Sequence, residues 1–295
     1  METKNFWIEL SISVPNEFVD LISEFFFQSG VSSIQNIETN DKETTLITYL
    51  KNKNNIEKKI KIINDWLSQN SFEENILNTR KTIQTDWIKK TRDSFKPFKI
   101  GKKLWIQPSW NDERTPTGRT KIVLDPGSSF GTGRHPTTKL ALLSIEDYLE
   151  KNNIDHFLDV GCGSGILILA ALKLGAKNGT AFDIDPEAAK NAKKLLYSNR
   201  VNKRAKVINE TLNKKYLELL IGKIDFITAN IFLTPLKELF PLFSEILNYE
   251  GRLVITGITP KQCNNFSKIC DDFHLKLLSE RTELNWSKME FEKFE

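Results

Sequence analysis

One segment limits the possible folds more than any other. Phe157–Leu158–Asp159–Val160 is a short apolar strand that runs straight into Gly161–Cys162–Gly163–Ser164–Gly165. Ile166, Leu167, Leu169, Ala170 and Leu172 follow as a helix, and Gly175 stops it. Strand, glycine-rich turn and helix together form the device by which doubly wound α/β domains hold nucleotide-like ligands. Glycine suits the turn because a Cβ would keep a ligand away from the backbone. The helix start offers N–H groups and a partial positive charge to an anionic group. A second strand, Gly179–Ile184, carries Asp183, which lies 22 positions after Gly161 (183 − 161). An acid about 20 residues on is where a ribose hydroxyl pair is held. Asp185–Pro186 reads as the N-cap and first position of the next helix, which leaves Asp183 as the ligand residue.

The dinucleotide fingerprint is G-x-G-x-x-G. Here the third glycine comes one position early, at Gly165, and Ile166 stands where that fingerprint has glycine. The form D-x-G-x-G-x-G resembles class I methyltransferases that use S-adenosyl-L-methionine. The resemblance implies that the helix N-terminus faces the methionine carboxylate of that cofactor, with Gly161, Gly163 and Asp183 among its contacts. A nicotinamide enzyme and a merely structural glycine turn are the competing readings.

The chain has 295 residues, more than a typical domain of roughly 100–150, so two domains are expected. Its 39% hydrophobic content, with 19 Phe and 6 Trp, supplies buried cores. Phe6, Ile8, Leu10, Ile12 and Val14 alternate with Trp7, Glu9, Ser11 and Ser13, the period of a half-buried strand. Phe18, Val19, Leu21, Ile22, Phe25 and Phe26 then recur at helical spacing. Ile34–Glu38 and Thr44–Leu50 read as a strand pair. A helix with Ile56, Ile60, Ile63, Trp66 and Leu67 follows, and then a short strand near Ile76–Lys81. The pattern β-α-β-β-α-β predicts a small ferredoxin-like split βαβ domain over 1–82. Residues 83–95 read as a helical linker. From 96 to 295 strands alternate with helices, which predicts a mostly parallel, doubly wound α/β sheet; the resemblance to class I methyltransferases implies that the sheet has seven strands.

Composition excludes several classes. The net charge of +4, from 42 basic and 38 acidic residues, is slight, so no direct nucleic-acid binding is expected. Cys162, Cys263 and Cys270 form no disulfide framework and no metal-ligand spacing with a histidine, which fits a reducing cytoplasm and predicts no metal. Met1–Leu10 does not read as a signal peptide. No apolar run reaches the roughly 20 residues of a membrane span.

Two further stretches narrow the reading. One is Asp125–Pro126–Gly127–Ser128–Ser129–Phe130–Gly131–Thr132–Gly133–Arg134–His135–Pro136–Thr137–Thr138. The other is Ala229–Asn230–Ile231, followed by Pro235–Leu236. With Asp86–Trp87 and Leu104–Trp105–Ile106–Gln107–Pro108, they resemble the PrmA family, which methylates protein eleven of the large ribosomal subunit. The resemblance covers most of 86–257. It implies cofactor contacts at Thr138, Gly161, Asp183 and Asn230. It also implies a first domain that grips the ribosomal protein, and methylated lysine and α-amino groups as products. A monomer is expected. Asn230 ends a strand at the carboxyl edge of the sheet, and its side-chain carbonyl is positioned to accept from the incoming amine. Three residues keep two readings each. Thr138 is a ligand or a helix-start residue, Phe130 covers the cofactor or belongs to the core, and His135 is a base or orders its loop. Another amine methyltransferase, and a non-catalytic module that binds the cofactor and docks on the ribosome, remain as alternative functions.

Overall fold

The computed structural model describes residues 6–29, 31, 34–40, 42–51, 56–70, 77–83, 95–125, 133–263, 266 and 273–294. The chain divides into two compact units, Met1–Phe95 and Lys96–Glu295. The linker expected over 83–95 lies almost wholly outside the described residues.

In the first unit the period-two stretch forms β1 (Phe6–Pro15), followed by α1 (Val19–Gln28), β2 (Gln35–Asn40), β3 (Glu43–Lys51), α2 (Ile56–Gln69) and β4 (Asn78–Ile83). The sheet order is β2-β3-β1-β4 with every pair antiparallel, the split βαβ arrangement. Alternation sends Ile8, Leu10, Ile12 and Val14 to one face. There they pack with Ile22 and Phe26 of α1 and with Ile63 and Leu67 of α2. Phe25 and Trp66 stack with ring centroids 4.1 Å apart and join the two helices.

The second unit begins with three short strands, β5 (Phe98–Ile100), β6 (Leu104–Gln107) and β7 (Thr120–Val123), in a sheet of their own. Then come α3 (Pro136–Leu149), β8 (His156–Val160), α4 (Ile166–Leu174), β9 (Asn178–Phe182), α5 (Pro186–Ser198) and β10 (Ala205–Ile208). The chain continues through α6 (Leu217–Leu220), β11 (Ile224–Asn230), α7 (Leu233–Ile246), β12 (Leu247–Ile258), β13 (Leu275–Glu283) and β14 (Trp286–Lys293).

Seven strands form the main sheet in the order β10-β9-β8-β11-β12-β14-β13. Strands β8 to β12 run parallel, and β14 is antiparallel to both its neighbours. The chain steps outward from β8 to β9 to β10, then returns to the other side of β8 as β11. The order therefore reverses between β8 and β11, where ligands of open α/β sheets sit. One sheet face packs Phe157, Phe226 and Val254 against residues of α3, α4 and α5. The other packs Leu158, Ile227 and Ile255 against α7. Arg252 bridges Glu290 and Glu292 of β14 at 2.8 and 3.0 Å, tying the antiparallel edge to β12.

Three local readings of the sequence shift. Strand β9 ends at Phe182, so Asp183 is the first residue past the strand, although its N–H still bonds Ile208 O at 3.1 Å. Leu247 falls on the helical spacing set by Leu236, Leu239, Phe240 and Phe243, yet it turns extended at ψ 137° and opens β12. The chain closes in an antiparallel hairpin, β13–β14, in place of further strand–helix alternation. Among the described residues no helix is long and apolar enough to cross a membrane.

Candidate functional site

The glycine turn leaves β8 at the switch point. Gly161 adopts φ +73°, a region that residues with a Cβ rarely enter. A Cβ there would also run into Cγ2 of Ile231, the residue after Asn230. The Gly161 and Cys162 N–H groups donate to Phe182 O at 2.9 and 3.0 Å, and the Gly165 N–H donates to Cys162 O at 2.8 Å. The turn is thus fastened to the end of β9.

Asp183 completes that fastening. One carboxylate oxygen accepts from the Gly163 N–H at 2.8 Å and the other from the Asp185 N–H at 2.9 Å. Each oxygen keeps a lone-pair direction for a further donor. The carboxyl is half-buried, and that desolvation raises its pKa against the two backbone bonds that lower it. Asp185 caps α5 by accepting from the Glu187 N–H at 2.9 Å, with Pro186 at the first helical position, as its sequence context predicts.

The opposite wall comes from α3 and β11. Asn230 ends β11, where Ala229 pairs with Val160, so it emerges beside Gly161. Its Nδ2 reaches Thr138 Oγ1 at 3.5 Å, the long limit of a hydrogen bond. Thr138 is a first-turn residue of α3, its helix-start reading, and it also borders Asn230. Thr138, Gly161, Gly163, Asp183 and Asn230 thus gather around one sheet edge. Phe130 lies outside the described residues.

His135 N-caps α3: its Nδ1 is 2.8 Å from Thr137 Oγ1 and 3.4 Å from Thr137 N, and its ring meets Trp286 edge-on at 5.3 Å. Burial pushes the imidazole pKa down to about 4. A base that weak is far from matched to an ammonium near 10.4, so the geometry favours the loop-ordering reading. Cys162 is buried in the hydrophobic core, and burial raises its thiol pKa well above the usual value, so it acts as a small packing residue.

The structure gives a role to a residue that the sequence reading carried only as the first letter of the D-x-G-x-G-x-G form. Asp159, fully buried beneath the turn, accepts from Thr228 Oγ1 at 2.9 Å and from the Ile168 N–H at 3.3 Å. Desolvation pushes its pKa up to about 7 against those bonds. Its signal in the sequence is a carboxylate inside an otherwise apolar strand. It occupies the Ile168 N–H in the first turn of α4, and Ser164 Oγ accepts from the Ile166 N–H at 3.3 Å. The first turn of α4 is therefore partly satisfied from within the protein.

A family model for ribosomal protein L11 methyltransferase (PrmA) matches residues 6–294. The chain belongs to this family. The ribosomal protein L11 methyltransferase of Histophilus somni is 34% identical over 298 residues, covering 94% of this chain and 95% of that protein. That of Haemophilus influenzae is 31% identical over 283 residues, with 90% and 91% covered. Among solved structures, the ribosomal protein L11 methylase of Lactobacillus delbrueckii subsp. bulgaricus is 30% identical with a TM-score of 0.60. That match covers 68% of this chain and all of the other. Family and fold together imply a methyl donor of the S-adenosylmethionine type. The site's geometry suits such a group: a turn with glycine at every second position, a half-buried carboxylate with open lone pairs, and a polar wall at Thr138 and Asn230.

Proposed function

We propose that the protein transfers methyl groups from S-adenosyl-L-methionine to lysine side-chain and α-amino groups of ribosomal protein L11. The observation that carries this reading is the placement of Asn230 beside Gly161, across from the Gly163–Asp183 clasp, at the sheet's topological switch. In this assignment the Gly161–Gly165 turn lies against the methionine end of the cofactor, and Asp183 accepts from its ribose hydroxyls. Thr138 and Asn230 would hold the cofactor at its sulfonium end.

When bound, the cofactor supplies a methyl on a sulfonium sulfur, which keeps the electron pair of the broken C–S bond. The protein's own task is to deliver a neutral amine in line with that bond. A lysine begins near pKa 10.4, so its proton must first leave to solvent. Enclosure in the cleft favours the uncharged form. The Asn230 side-chain carbonyl accepts one amine N–H and aims the nitrogen lone pair at the methyl carbon. Asn230 does not ionise, so its contribution is orientation.

The first unit, with the reach to Phe95, is assigned the grip on the substrate protein. The catalytic unit begins at Lys96. We assign the enzyme to the cytoplasm as a monomer that reads protein and not nucleic acid. Purified enzyme incubated with methyl-labelled cofactor and L11, followed by mass analysis, is expected to place label on L11 amines. Binding of the cofactor without transfer would favour a non-catalytic docking module. Transfer to other amines alone would overturn the substrate.

A further inference from the structure

Among the described residues, three side chains have a buried polar atom without a hydrogen-bond partner, and one of them, Thr256, borders the site. Thr256 is 1% exposed. In the parallel β11–β12 pair it stands directly beside Asn230. Two residues back along each strand, Thr228 is paired with Val254. Val254 packs in the cluster formed with α3 and α4, so Val254, Thr256, Thr228 and Asn230 share the face under α3. α3 also carries Thr138, the partner of the Asn230 amide. The next residue, Gly257, seals the arrangement. A Cβ there would lie 2.8 Å from the Ile231 carbonyl oxygen, while one at Gly161 would strike Ile231 from the other side. Ile231 is held between two glycines, so the backbone that presents Asn230 has little room to shift.

An unpaired buried hydroxyl is a cost to the fold, and a methyl of the same shape would avoid it. Its location is therefore the informative fact. We propose that Thr256 is a positioning residue for methyl transfer. Its hydroxyl donates to the Asn230 side-chain carbonyl once cofactor and acceptor fill the cleft, and it fixes the amide plane so that the second lone pair meets the amine. This rests on the role given above to Asn230. Thr256 touches neither substrate nor cofactor and acts through its neighbour.

The test uses the full-length enzyme with saturating cofactor and L11. Thr256→Val is expected to lower kcat about tenfold to a hundredfold, the scale of a small misplacement of a reacting group. Cofactor affinity should stay within about twofold, and thermal stability should be unchanged or higher, since no native bond is lost. Thr256→Ser is expected to recover most of kcat. Adding Thr256→Val to Asn230→Ala is expected to cost nothing more, because the two act as one unit. Wild-type kcat in Thr256→Val, with Asn230→Ala strongly impaired, overturns the role of Thr256 alone. Unimpaired Asn230→Ala overturns the reading of Asn230 itself. Loss of kcat in parallel with loss of stability in both Val and Ser variants would show a structural role only and overturn the proposal.

Discussion

The Gly163 N–H and the Asp183 carboxylate meet at 2.8 Å across 20 positions of sequence. The bond makes the turn and the acid one unit, so Asp183 both shapes the turn and offers acceptors to a ligand. Asp183→Ala removes an acceptor of two backbone donors together with the ribose contact proposed for it. Cofactor affinity is expected to fall by a hundredfold or more, about 3 kcal/mol. Asp183→Asn keeps one acceptor oxygen and is expected to fall between that variant and the wild type. Calorimetric titration with the cofactor measures both. Equal affinity in all three proteins would remove Asp183 from the site.

Gly161 sits where backbone and packing both demand glycine. Gly161→Ala places a Cβ at φ +73° and against Ile231 Cγ2. The backbone strain alone costs about 1–2 kcal/mol. The variant is expected to unfold at a lower temperature and to bind cofactor more weakly. Adding Ile231→Ala clears the collision and is expected to recover part of the packing loss but none of the φ strain. Thermal unfolding of the single and double variants checks this. A fully wild-type Gly161→Ala would contradict the local geometry.

Much of this was legible in the sequence because its signals are local. The glycine turn, the acid after β9 and the Asp185–Pro186 cap each depend on a few neighbouring residues, and β1 and α1 announce themselves by period. Other features depend on contacts between distant segments. The weight of Thr256 appears only when β12 is laid in register against β11. The protonation of Asp159 depends on how completely the helices above the sheet exclude water. The terminal β13–β14 hairpin hides because β13 is an edge strand with mostly exposed side chains, which blurs alternation. The meeting of Thr138 with Asn230 joins residues 92 positions apart; the family likeness named each of them, but only the structure brings the two together.

Asp159 and His135 titrate against each other. Burial raises the Asp159 pKa from 3.8 to about 7, so between those values the folded protein holds a proton that the unfolded chain has released. Stability from this group is full at acid pH and is lost as pH rises through about 7, at about 1.4 kcal/mol per pH unit. Burial lowers the His135 pKa from 6.5 to about 4, so there the unfolded chain holds the extra proton. Stability from this group is full above pH 6.5 and is lost as pH falls towards about 4. The two windows overlap with opposite slopes, and the wild type is expected to show little net change from this pair between about pH 4 and 6.5. Asp159→Asn preserves shape and, with Thr228 turned to accept, both hydrogen bonds. It should unmask the histidine slope, with stability climbing as pH rises. His135→Asn keeps a good helix cap while removing the titration. It should unmask the aspartate slope, with stability falling from about pH 4 to 7. Denaturant unfolding at a series of pH values separates the two. Parallel profiles for both variants would mean that neither side chain is as deeply desolvated as its surroundings imply.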